Sequence, residues 1–287
     1  MTSYNEFCSE FPIKELNIKE KTFQYRHYNN PDSEITLVLL VGGLGISDLM
    51  YNHFIKFSKY FSVITFDYSM NYQNNEELTN AIHELLTHLN IRAWFVGQSL
   101  GGFIAQLMAI KYPDVVEGLA LSNTGCASEN LSETAYQSLM DMIKSSNKSK
   151  KIVNLIPFSL FKKLISKKVM KRYGANFNSN EKAIIKDVCI VMEQKLTKKY
   201  EIHMINLLID LQNNFGSKKE QFKYLNDKVL LILSDDDKTF HDEVKIALID
   251  IMPSPKVITD LKGGHISLMI NCDKYVSMIV EYITGRL

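Results

Sequence analysis

Trp94-Phe95-Val96-Gly97-Gln98-Ser99-Leu100-Gly101-Gly102-Phe103 is the stretch whose reading decides the fold. Aromatic and β-branched residues running into a glycine have the composition of a strand end. From Phe103 to Lys111 the chain reads as helix, until Tyr112-Pro113 stops it. A serine between the two stands on a sharp strand-to-helix turn, in a strained conformation that projects Oγ clear of the sheet. A Cβ two residues before or after it would strike neighbouring backbone, and Gly97 and Gly101 remove those atoms. At the head of the helix the backbone amides are free, and the Leu100 N–H points to where a negative oxygen on a reacting carbonyl would form. The plainer alternative is a glycine-rich turn with an incidental serine. The strand before it and the helix after it favour the nucleophile.

Working outward from this turn, short apolar runs recur at Ile35–Val41, Phe61–Phe66, Ala93–Val96, Gly118–Ser122, Val229–Leu233 and Lys256–Thr259. Runs without polar alternation suit strands covered on both faces, so the pattern predicts an α/β fold with a mostly parallel, doubly covered sheet. Leu16–Lys19 and Thr22–Tyr28 read instead as an antiparallel pair at one edge. Asn75–Leu89 places Leu78, Ile82, Leu85, Leu86 and Leu89 on one helical face. From Ala127 to Asn226 the alternation of strand and helix gives way to lysine-rich helical segments, and a structureless loop of that length is implausible. The expected organisation is core over residues 1–126, a helical cap insertion over 127–226, and core again over 227–287.

Composition narrows the function classes. Lys plus Arg number 33 against 32 Asp plus Glu, a net charge of +1, so no overall field is available to collect nucleic acid. No apolar stretch is long enough to span a bilayer, and Met1–Glu6 lacks the basic and apolar regions of a signal peptide, which makes the cytoplasm the expected compartment. Cys8, Cys126, Cys189 and Cys272 show no CxxC or CxxH spacing and read as free thiols, mostly buried. The glycine-rich Leu39–Gly45 does not continue into a phosphate-binding or dinucleotide motif, and no cofactor is expected.

Strand, Gly-x-Ser-x-Gly and helix in this order, set in a βα alternation, resemble the α/β-hydrolase fold family over nearly the whole chain outside the insertion. The resemblance implies a serine hydrolase with Ser99 as nucleophile. In that family a loop after an early strand supplies a second oxyanion amide. Leu39–Gly45 occupies that place, which pairs Leu44 N–H with Leu100 N–H, and Gly42 stands where the family commonly has histidine.

A serine hydroxyl needs a base that can also return the proton to the leaving group. His265, between the last predicted strand and the final helix Tyr275–Ile283, lies where the family carries that histidine. His241, close behind the acid loop, is the alternative. An acid must then hold the imidazole in the right tautomer. Laying Ser234 on the glycine of the family's Gly-x-x-Asp makes Asp237 the acid, with Asp236 as the one-residue alternative. Ser122-Asn123, at the family's other acid position, offers no carboxylate. A calcium loop over Asp235–Asp237 would need spaced ligands and a distal glutamate that Lys238-Thr239-Phe240 does not supply, so no metal is expected.

The insertion carries Ile152, Val153, Leu155, Ile156, Phe158, Leu160, Phe161, Leu164, Ile165, Val169 and Met170 among Lys162, Lys163, Lys167, Lys168 and Lys171. This reads as an amphipathic cap with solvated lysines, within which Phe158 and Phe161 are candidates to line an acyl pocket. A sharper alternative has the lysines meeting an anionic substrate or a membrane surface. The expected partner is a small, largely apolar acyl substrate joined through an ester, thioester or amide. Acyl transfer on the same three residues, or a non-catalytic scaffold, are the competing readings, because fold does not select substrate.

Overall fold

In the computed structural model, which describes residues 4–173 and 179–286, the apolar runs become strands lying side by side. Helix α1 (Tyr4–Glu10) precedes β1 (Lys14–Ile18) and β2 (Lys21–Tyr28). Then come β3 (Thr36–Leu40), α2 (Tyr51–Phe57), β4 (Ser62–Thr65), α3 (Asn75–Leu89), β5 (Ala93–Gln98), α4 (Leu100–Lys111) and β6 (Val116–Ser122). Helices α5 (Glu133–Leu155), α6 (Phe158–Tyr173), α7 (Ser179–Lys195) and α8 (Lys198–Asp210) follow. The chain closes with β7 (Val229–Ile232), α9 (Asp242–Ile251), β8 (Lys256–Ile258), α10 (Ser267–Ile270) and α11 (Cys272–Ile283).

Among the described residues the sheet has eight strands in the order β1-β2-β4-β3-β5-β6-β7-β8. The first two pairings, β1 with β2 and β2 with β4, are antiparallel, and those from β4 to β8 are parallel. Val38 lies opposite Ile64 on one side and Phe95 on the other, and all three are fully buried. Helices cover both faces, which is why these strands carry continuous apolar runs rather than alternation. Each such side chain contributes about 2 kcal/mol on burial, so the central strands form a rigid floor.

Helix α3 shows how local signals set its ends. The Asn74 side chain accepts from Glu77 N at 2.8 Å as N-cap, and Asn90 adopts the left-handed conformation that ends the helix. The chain leaves β3 toward β4 but leaves β5 toward β6, on the opposite side. Loops at the carboxyl ends of β3 and β5 therefore diverge and open a crevice, which is where open α/β sheets place their ligands.

Between β6 and β7 the described residues hold α5 to α8, two short 3-10 turns at Leu211–Asn214 and Lys219–Leu225, and one isolated bridge from Ser128 to Ser217. The side chains of Ile165, Val169 and Met170, expected on the apolar face of this segment, lie outside the described residues. The segment is tied to the core through polar contacts: Asn75 Nδ2 donates to Leu207 O at 3.0 Å, and Asp210 Oδ2 accepts from Asn75 N at 2.8 Å. Among the described residues no helix is long and apolar enough to cross a membrane. Among the described residues no cysteine is joined in a disulfide. Cys126 and Cys272 are buried, whereas Cys8 and Cys189 are only half-buried, which corrects the expectation that most would be inside.

Candidate active site

Ser99 connects β5 to α4 with φ 53° and ψ −119°, a region that a side chain occupies only when its surroundings force it there. The surroundings are backbone and one side-chain hydroxyl. Ser99 N donates to Ser122 O at 3.1 Å, Ser99 O accepts from Gly102 N at 2.9 Å, and Thr124 Oγ1 donates to the same carbonyl at 2.7 Å. A Cβ on Gly97 would lie 2.4 Å from Gly101 O, and one on Gly101 would lie 2.3 Å from Leu40 O. The turn can close only because both positions lack a Cβ.

His265 and Asp237 arrive from loops at the ends of β8 and β7. His265 Nε2 lies 3.1 Å from Ser99 Oγ, and His265 Nδ1 lies 2.9 Å from Asp237 Oδ2. The Asp237 side chain is 0% exposed, and its other oxygen accepts from Thr239 N at 2.8 Å. Burial pushes this carboxyl up, but the hydrogen bond and charge of His265, with the Thr239 amide, outweigh burial and hold it below the ordinary carboxylate value. The Phe240 ring, 5.8 Å from the imidazole between centroids, shields it from one side. Of the residues singled out in the sequence, the structure thus brings Ser99, His265 and Asp237 into one line.

The three consecutive aspartates go separate ways. Asp235 is exposed and pairs with Lys262. Asp236, the alternative acid, is also exposed, and its two oxygens accept from Gly263 N at 2.9 Å and Gly264 N at 3.0 Å. It braces the loop that carries His265 without touching the ring. Among the described residues no group of three or more His, Cys, Asp and Glu side chains is placed to hold a metal ion. His241, the alternative base, is exposed at the start of α9.

Several supporting residues escaped the sequence reading. Asn123, at the position that offered no carboxylate, is buried and joins the loops: its Nδ2 donates to Gly264 O at 2.9 Å and its Oδ1 accepts from Ser234 N at 2.9 Å. Lys245, in the first turn of α9, is buried with Nζ donating to Asp237 O at 3.1 Å and Ser234 O at 3.4 Å. Neither has a sequence signal: Asn123 acts on loops more than a hundred residues away, and Lys245 on carbonyls 8 and 11 residues before it, across a turn. Gln98 does have one, its place beside Ser99, and its amide Nε2 donates to His265 O at 3.2 Å.

The loop after β3 turns through a hydrogen bond from Gly45 N to Gly42 O at 2.9 Å. Among the described residues the Leu44 and Leu100 amides have no acceptor, and such free donors at a helix head and a tight turn suit an anionic oxygen. The turn is held from two sides: Tyr68 N at 3.0 Å and Tyr200 Oη at 2.7 Å both donate to Gly45 O. Beyond it, Asp48 is buried against Arg26 Nε at 3.2 Å, Lys195 Nζ at 2.5 Å and Tyr4 Oη at 2.5 Å. Burial pushes the Asp48 carboxyl up, but Lys195, Tyr4 and Arg26 together hold it low. Tyr200 and Lys195 come from the segment between β6 and β7, which therefore grips this loop directly. Phe158 packs on the cluster of Ile46, Leu49, Val191, Met192 and Leu196 that also receives Leu44, and stacks on Phe161 at 5.6 Å.

A family model described as alpha/beta hydrolase fold matches residues 35–271. No curated protein sequence matches the chain. Among solved structures, a hydrolase from Pseudomonas aeruginosa is similar at 14% identity and TM-score 0.72, covering 95% of this chain and 98% of that one. MenH from S. aureus is similar at 20% identity and TM-score 0.71, covering 91% and 98%. A thermophilic esterase from Thermogutta terrifontis is similar at 16% identity and TM-score 0.71, covering 96% and 98%. At these identities the likeness speaks for the fold.

Proposed function

The chain belongs to the α/β-hydrolase fold family, and from that premise we propose that it hydrolyses carboxylic esters of small, largely apolar acyl compounds through an acyl-enzyme on Ser99. One observation carries the reading: a strained serine whose Oγ lies 3.1 Å from a histidine nitrogen, with that ring's other nitrogen 2.9 Å from a fully buried carboxylate. The esterase that shares this fold agrees with ester chemistry.

In this mechanism Ser99 Oγ attacks the ester carbonyl carbon and its proton passes to His265 Nε2. The carbonyl oxygen becomes anionic between the Leu44 and Leu100 amides. Collapse of the tetrahedral intermediate breaks the bond to the leaving oxygen, which takes the proton from His265. Water then repeats the sequence: it loses its proton to Nε2, attacks the acyl carbon, and Ser99 leaves reprotonated. Asp237 stays ionised throughout, fixing the tautomer with hydrogen on Nδ1 and stabilising the imidazolium. Residues 127–226 act as a cap that excludes water and sets substrate size, with Phe158 and Phe161 toward the acyl group.

A fluorophosphonate probe tests the nucleophile. The protein should label once, at Ser99, and Ser99→Ala should abolish labelling with the melting temperature retained. Labelling that survives Ser99→Ala or maps to another serine overturns the reading. Esters of graded chain length then size the pocket.

A further inference from the structure

Gly42 and Gln98 meet above the candidate site, and neither has a part in the mechanism above. A Cβ on Gly42 would lie 2.4 Å from Gln98 Oε1 and 3.4 Å from Gln98 Cδ, so any other residue at position 42 must displace the amide oxygen from where it lies. The other end of that amide faces the histidine: Nε2 donates to His265 O at 3.2 Å and lies 3.3 Å from His265 Nε2. Gln98 is only 9% exposed, which leaves the amide little room to settle elsewhere.

The histidine needs such a support. It follows Gly263 at φ 122° and Gly264 at φ 59°, two residues without side chains in a conformation that glycine favours. Polar contacts hold this stretch. Asp236 takes the Gly263 and Gly264 amides, Asn123 takes the Gly264 carbonyl, and the His265 carbonyl is left to Gln98. With its amide bonded to the main chain of His265 and packed beside the ring, Gln98 restricts the hinge on which the base is mounted.

We propose that Gln98 is a positioning residue for His265, and that position 42 is glycine because the Gln98 amide requires its space. The pair braces the base from the nucleophile turn rather than from the loop after β3. The inference rests on the reading of Ser99 and His265 as nucleophile and base.

The test uses Gln98→Met, which keeps side-chain length and removes both donors, and the cycle formed by Gly42→Ala, Gln98→Ala and their combination. Each protein is measured for kcat and KM on a p-nitrophenyl ester, for the rate of fluorophosphonate labelling, and for melting temperature. Gln98→Met should lower kcat and labelling rate together by on the order of 100-fold, the cost of a small misplacement of the base, with KM little changed. Gly42→Ala should lower kcat and melting temperature in the wild-type background and do neither in the Gln98→Ala background, because the clash has gone. A Gly42→Ala protein that fails to fold alone but folds when combined with Gln98→Ala shows the same coupling.

Wild-type kcat and labelling in Gln98→Met would overturn the positioning role. Equal losses of melting temperature from Gly42→Ala in both backgrounds would overturn the pairing. If the wild-type protein neither labels nor hydrolyses esters, the acyl-enzyme reading falls and the positioning role falls with it, while the melting cycle still decides the steric pairing.

Discussion

Asp237→Asn is the substitution with the sharpest consequence, because its cost can be worked from two hydrogen bonds. Asp237 presents two oxygens to two donors, His265 Nδ1 at 2.9 Å and Thr239 N at 2.8 Å, in a site from which the side chain is 0% exposed. An asparagine has one oxygen. Turned toward His265, it faces Thr239 with an N–H and orphans that amide, at about 1–3 kcal/mol. Turned toward Thr239, it donates to Nδ1, and the imidazole must then carry its hydrogen on Nε2, where it cannot take a proton from Ser99. In both orientations the negative charge that steadies the imidazolium is lost. Steady-state hydrolysis of a p-nitrophenyl ester should therefore fall by on the order of 10,000-fold in kcat, with the protein still folded by circular dichroism. Asp236→Asn is the control: it removes one of two bonds from an exposed carboxylate to the Gly263 and Gly264 amides and should cost about tenfold or less. If Asp236→Asn costs more than Asp237→Asn, the assignment of the acid is wrong.

Further expectations concern packing, pH and the segment between β6 and β7. Gly101→Ala would put a Cβ 2.3 Å from Leu40 O and 2.7 Å from Val41 O. Backbone at the end of a central strand cannot retreat, so thermal denaturation should show a loss of roughly 3 kcal/mol or more, and an unchanged melting temperature would refute the tight approach. Burial pushes the His53 imidazole down from 6.5 to about 4, despite its 3.0 Å contact with Leu268 O. The unfolded chain binds this proton first, so stability is full above pH 6.5 and falls by about 3 kcal/mol as pH drops toward 4. Glu201, pushed up to about 7 by burial, acts in the opposite sense, with stability lost as pH rises from 4.5 toward 7. The comparison that isolates the histidine is thus His53→Gln against wild type: it should flatten the fall in melting temperature between pH 6.5 and 4, and an unaltered slope would count against it. Phe158→Ala and Phe161→Ala should shift chain-length preference and KM while leaving the rate of Ser99 labelling near wild type. A labelling rate that falls as far as the ester kinetics would place these rings in the site's framework instead.

The strands and the turn at Ser99 were legible in the sequence because each is decided within a few residues. A doubly covered strand must be apolar where both faces are covered, as Leu37, Val38, Leu39 and Leu40 are in β3 and Val229–Ile232 is in β7. A serine held at φ 53° needs Cβ-free neighbours at Gly97 and Gly101. Long-range pairing was not legible in that way. Three adjacent aspartates are equivalent in sequence, and only the meeting of the loops after β7 and β8 sends Asp237 to the imidazole, Asp236 to two glycine amides and Asp235 to Lys262. Asn123 and Lys245 carry no local mark, since the carbonyls they satisfy belong to loops more than a hundred residues away in one case and across a turn in the other. Buried carbonyls and amides must find partners wherever the fold brings them together. The chain's local pattern therefore determined its elements and the turn that holds Ser99, while the choice of partners at the strand ends was made by tertiary structure, because it depends on which unsatisfied polar groups come to lie within 3 Å of one another.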